Sequence, residues 1–147
     1  MNPEYTTQFL STVKSAAPDG GRLSGTNDDP LAVLHQVFDA IVQHDFEKFG
    51  TYVSDDVELK ISGFGLFDGN WHGRAAVVQA SQNNFKMVAD QKPEIEGMIS
   101  QGNTVAILLN ESGIVKATEK AYKIRCVQWY TFAGGKIQKI DEIVTNF

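Results

Sequence analysis

The residues that could do chemistry gather in the last third of the chain: Glu111, Gln128, Tyr130 and Glu142. Glu111 ends the apolar alternation Val105, Ile107, Leu109, which carries it onto the inner face of a strand. A carboxyl there loses water, and its pKa moves up toward the range useful for acid–base work. If the strand has already ended, with Ser112 and Gly113 following, Glu111 lies outside the sheet. The direction of Glu142 hangs on one hairpin. A three-residue loop, Ala133–Gly135, sets Phe132 opposite Lys136, Gln128 opposite Ile140, and Cys126 opposite Glu142 on the inner wall. A four-residue loop flips the last strand and turns Asp141 inward instead. An exposed or rim position on a two-sided strand is the plain structural alternative for Glu142, since an ionised glutamate is almost never fully buried unpaired.

Gln128 donates and accepts but does not titrate, so it suits orienting a carbonyl or hydroxyl group. Tyr130 and Tyr122, on the same face, offer apolar area and a phenol hydrogen bond, or serve as core. Cys126 beside them reads as an inert packing residue. Trp71 and His72 precede a helix; a histidine at a pocket mouth could shuttle protons, or simply close the loop. Phe64 and Phe67 line or fill a pocket entrance, among glycines that would let a lid move or a permanent cap form. The three histidines, His35, His44 and His72, show no metal-ligand spacing. No metal and no cofactor is expected. GFG and GNWHG lack the Lys-Ser/Thr of a phosphate-cradling loop.

The elements that must position these residues are legible from periodicity. Thr104–Ser112, Ala121–Phe132 and Lys136–Thr145 read as three long strands joined by short turns. Asp56–Ser62 and Pro93–Ile99 read as two more, and GFGLFDGNWHG as loop. Leu31, Leu34, Val37, Phe38, Ile41 and Val42 form one stripe of a helix begun by Pro30 and ending near His44. Asp45 caps a short helix, Phe46–Val53, and Arg74–Asp90 gives a third. Upstream, Glu4–Ala16 reads as a further helix and the Gly/Pro/Asp-rich stretch to residue 29 as a connector. Helices first and mostly antiparallel strands afterwards indicate an α+β domain over residues 30–147: a curled sheet wrapped around helices as a cone with an internal pocket.

Composition narrows the function. At 147 residues the chain suits one domain. A formal charge of −5 disfavours general nucleic-acid binding. No apolar run is long enough for a membrane helix, and the N-terminus lacks a signal-peptide pattern. With one cysteine, the chain is expected in a reducing compartment, the cytoplasm. Val127 and Trp129, among Lys123, Arg125 and Thr131, make the outer face of the long strand too apolar for open solvent. That face is expected to hold a homodimer.

Three stretches, QHDFEKFGTYVSDDVEL, WHGRAAVVQA and YTFAGGKIQKIDEI, resemble the nuclear transport factor 2-like superfamily, over roughly Leu31 to Val144. They look like the branch holding SnoaL-type polyketide cyclases, ketosteroid isomerases and limonene epoxide hydrolases. The resemblance implies a deep apolar pocket for an apolar small molecule, and often a dimer through the outer sheet face. It does not imply one reaction. Where ketosteroid isomerases carry their base, oxyanion tyrosine and protonated aspartate, this chain has Ile61, Val37 and Gln128. Val37 is therefore expected to line the pocket without acid–base work. The two acids of the epoxide hydrolases match Glu111 and Glu142, but Leu109 stands in the place of their arginine. Their water-holding Tyr and Asn fall within Ile61–Gly65, where neither type occurs. In such a fold one strand separates Glu111 from Glu142, a lateral gap of about 10 Å or more. The sequence therefore leaves two expectations: acid–base catalysis without a cofactor on an apolar, oxygenated substrate, or a non-catalytic ligand-binding or dimeric interaction module.

Overall fold

The computed structural model describes residues 29–146; the expected N-terminal helix and most of its connector lie outside them. Helix α1 spans Pro30–Val42, α2 Phe46–Thr51 and α3 Arg74–Lys86. The strands are β1 Val53–Ser62, β2 Gly69–His72, β3 Val88–Gln101, β4 Thr104–Val115, β5 Lys120–Ala133 and β6 Lys136–Asn146. They form one sheet in the order β2-β1-β6-β5-β4-β3. Only β1 and β6 run parallel.

Local chemistry sets the helix starts. The Asp29 carboxylate accepts from the Leu31 N–H at 2.9 Å, with Pro30 in the first helical position. Asp45 does the same for Lys48 N–H at 3.0 Å. The apolar stripe of α1 is buried at Leu34, Val37 and Phe38 against alternate residues of the sheet, including Val105, Ile107, Tyr130 and Ile140. At roughly 1.5–3 kcal/mol for each large apolar side chain removed from water, this shared stripe holds the helix on the concave face.

Several expectations need correction. The loop between β5 and β6 is two residues, Gly134 and Gly135, both with positive φ, so Ala133 faces Lys136 and Phe132 faces Ile137. A bulge follows, Thr131 pairing with Lys139. These two one-residue shifts add to two, which preserves the face: Glu142 still points inward, opposite Gln128 and not Cys126. The stretch Gly69–His72, expected as loop, pairs with β1 as an edge strand. Helix α3 stops at Lys86, since Val88–Ala89 pair with Ile114–Val115 and lengthen β3. Sheet pairing overrides the helical spacing there. Glu111 has not left its strand: it sits inside β4, between Pro93 on the edge strand and Ile124.

Candidate functional site

Between the concave face and the helices lies a cavity of about 160 Å³. Its wall is mostly apolar, with Val37, Phe38, Phe49, Leu59, Ile61 and Leu109 among the lining residues. Seven lining side chains carry polar groups: Ser81, Asn84, Gln91, Glu111, Gln128, Tyr130 and Glu142. Of the residues singled out from the sequence, Glu142, Glu111, Gln128, Tyr130, Phe64, Phe67 and Val37 all line it.

Strand register builds one half of the site. Ile61, Glu142, Gln128 and Ile107 stand abreast on β1, β6, β5 and β4. Within this row the Gln128 Nε2 donates to Glu142 Oε1 at 2.9 Å, and the Tyr130 hydroxyl donates to Gln128 Oε1 at 2.9 Å. The phenol therefore fixes which way the amide points, and the amide presents its N–H to the carboxyl. Tyr130 itself is buried and touches Phe38 edge-on. Its hydroxyl proton is committed to Gln128. Burial pushes the Glu142 carboxyl up to about 7, helped by the charge of Glu111 and opposed by the Gln128 bond.

The second half was only partly anticipated. Glu111 Oε2 accepts from the Tyr122 hydroxyl at 2.7 Å, and the Gln91 amide acts on both groups. Burial raises the Glu111 pKa, while Tyr122 and Gln91 oppose the rise. The Tyr122 hydroxyl is pushed up by burial first, then by the carboxylate it serves. Gly113, opposite Tyr122, makes this possible: a Cβ there would lie 2.8 Å from both the ring and its oxygen. Cys126 stands between the two acids on β5, and burial followed by both carboxyls pushes its thiol up. The buried thiol stays protonated and packs; it does not attack.

Gln91, Asn84 and Ser81 were not singled out as functional. Asn84 and Ser81 lie on the inward side of α3, where a polar residue on a buried stripe is the signal. Gln91 sits just past the irregularity at Asp90, whose φ is 53°, so no simple periodicity could aim it.

Trp71 and His72 lie elsewhere. His72 is exposed on edge strand β2, its Nδ1 3.4 Å from Glu58 Oε1, and it does not line the cavity. The pocket-mouth position expected for it is corrected: the strand it belongs to turns it to the outer face. Trp71 packs against the core's edge without reaching the cavity wall. At the rim, Phe64 and Phe67 stack at 4.7 Å, and Phe64 meets Tyr122 edge-on at 5.7 Å. Asp68 anchors this loop by accepting from the N–H groups of Gly63 and Phe64. Among the described residues no group of three or more His, Cys, Asp and Glu could hold a metal, and no helix is long and apolar enough to cross a membrane.

The SnoaL-like domain family matches residues 34–140. The chain belongs to that family. Its structure is similar to that of an NTF2-like protein of Burkholderia xenovorans LB400, with TM-score 0.69, 21% identity, and 78% of this chain and 88% of that one covered. A candidate SnoaL-like polyketide cyclase of Shewanella putrefaciens CN-32 gives TM-score 0.65 at 14% identity, covering 78% and 88%. A candidate ketosteroid isomerase of Kribbella flavida DSM 17836 gives 0.58 at 15%, covering 77% and 75%. At these identities the likeness shows the fold alone. No curated protein matches the chain.

Proposed function

We propose that this protein is a small-molecule-pocket enzyme that performs acid–base chemistry without a cofactor, as an isomerase, cyclase or hydrolase, on an apolar, oxygenated substrate. The observation that carries this reading is Glu142: a carboxyl inside an apolar cavity, oriented by an amide and titrating at about 7. A group with that pKa can both take and return a proton near neutrality. For an isomerisation, ionised Glu142 removes a proton from the carbon beside a carbonyl. The electron pair moves to the carbonyl oxygen, and protonated Glu142 returns the proton at another carbon. Asn84, lining the same cavity, is a neutral donor for the developing oxyanion. Glu111, on the same wall, acts on Glu142 through its charge and raises the pKa further. His72, exposed on the edge strand, has no part in this scheme.

Two further features complete the reading. The exposed row on the outer sheet face, with Trp129 at 49% and Ile143 at 55%, beside Val127, favours a homodimer. The lone buried Cys126 is in keeping with a reducing, cytoplasmic setting. Ile61 and Val37, where ketosteroid isomerases have base and oxyanion tyrosine, favour a second reading: a ligand-binding or dimeric interaction module that does no chemistry.

The test is exchange of the α-protons of cyclic ketones and lactones into deuterated water. Glu142→Gln keeps the Gln128 bond and should lower enzyme-promoted exchange by about 10²–10⁴-fold, with the circular dichroism spectrum unchanged. Equal exchange by both proteins would assign the cavity to the non-catalytic reading.

A further inference from the structure

Charge within the cavity is one-sided. Two carboxyls line it, and among the described residues no lysine, arginine or histidine does. The titratable groups facing the space are Glu111, Glu142, Cys126 and Tyr130, with Tyr122 against Glu111; none becomes a cation. Glu111 is held by Tyr122 through Oε2 and by the Gln91 amide, and Glu142 by Gln128 through Oε1. The half-buried Glu142 shows no hydrogen bond to its Oε2 among the described residues. An ionised carboxylate in a dry site demands an opposite charge or donors in compensation. Neutral donors supply part of that, and nothing in the described wall supplies the rest.

We infer that the natural ligand of this cavity is a compact apolar compound bearing a protonated amine, whose ammonium group binds the free oxygen of Glu142. The inference rests on the cavity being a ligand pocket and reads Glu142 there as a binding carboxylate, since an ammonium on its free oxygen would leave it unable to take a carbon-bound proton. Geometry supports it in three ways. First, the cavity, about 160 Å³, is the size of one ring with a short substituent, since an apolar cavity of roughly 150 Å³ accepts benzene. Second, Phe38, Phe49, Phe64, Phe67 and Phe85 line the space, and aromatic faces attract ammonium groups at little desolvation cost. Third, the second carboxyl stands on the same concave wall, with one strand between it and Glu142, so wherever the two acids are ionised they favour a cation over an anion.

The experiment uses three probes of one size and different charge: benzylamine, benzyl alcohol and benzoate. Binding to the full chain is measured by calorimetry and by thermal shift from pH 5 to 8, since a ligand of the folded state raises the melting temperature. Benzylamine, which stays protonated across this range, should bind at least tenfold more tightly than benzyl alcohol. Its affinity should rise as pH passes through about 7, where Glu142 ionises. Benzoate should not bind. Glu142→Gln should remove the preference for the amine while keeping the weaker binding of the alcohol. If benzyl alcohol binds as well as benzylamine, or benzoate binds best, the amine inference is overturned while the pocket reading stands. If none of the three binds, both fall. Should the variant fail to fold, the probe series on the wild-type chain still decides.

Discussion

At the scale of single residues, the account turns on a carboxyl whose burial against an apolar wall disfavours its charged form. Glu142 has a folded pKa of about 7, against an ordinary value of 4.5. The raised value means that the folded protein prefers the protonated acid. Stability from this source is full below about 4.5 and is lost as pH rises through about 7. The shift corresponds to on the order of 3 kcal/mol between the two limits. Replacing Glu142 by Gln removes that titration and keeps the shape. The melting temperature of Glu142→Gln should therefore match the wild type near pH 4.5 and exceed it by several degrees at pH 8. A constant difference across that range would mean that Glu142 is solvated in the folded state. The direct bond of Tyr130 to Gln128, and of Gln128 to Glu142, could not be read from the sequence, because it depends on a bulge three residues past the turn. That Gln128 and Tyr130 share one face could, whereas the face of Glu142 hung on the length of the hairpin loop.

At the scale of elements, the last three strands do most of the positioning, and their alternation is what made the site legible. Val105, Ile107 and Leu109 pointed Glu111 to the inner face, since a strand has only two faces and one of them is buried here, while Ser112 and Gly113 left open whether the strand had already ended. The error in the hairpin changed partners and left directions intact, because the tighter turn and the bulge cancel in parity. By contrast, β2 was hidden: four residues in a glycine-rich stretch carry too little pattern to reveal an edge strand. Its pairing with β1 is what removes His72 from the cavity. Packing between elements also explains Gly113, whose missing side chain lets Tyr122 lie across β4 and reach Glu111. Gly113→Ala should displace that phenol, cost about 1–3 kcal/mol from overpacking, and leave Glu111 with one donor fewer. Denaturant melts would register the loss, and a crystal structure would show the ring moved. An unperturbed Tyr122 in the variant would disprove the argument.

At the scale of the whole molecule, one open sheet serves two surfaces. Its concave side closes on α1 and α3 around the cavity, and its convex side carries a broad apolar row. Register places Leu108, Val127 and Ile143 side by side, and Ala106, Trp129 and Asp141 next to them. Together with Ile99, 71% exposed, they give an area that a lone chain would leave wet. Light scattering should return twice the chain mass of 16.2 kDa, and Trp129→Asp should return the single mass; a wild-type monomer would refute the proposed pairing. The family, too, was legible in three short stretches, whereas the reaction was not, since this scaffold keeps its shape with quite different polar groups inside. On the proposed reading, Glu142 is the group that transfers the proton at the cavity wall. The most direct examination is the deuterium-exchange rate of a bound ketone, followed from pH 5 to 9 in the wild type and in Glu142→Gln. The account predicts a wild-type rate that climbs through a midpoint near 7 and a variant that stays at the solvent background. A variant that exchanges as fast as the wild type, with the same midpoint, would contradict it.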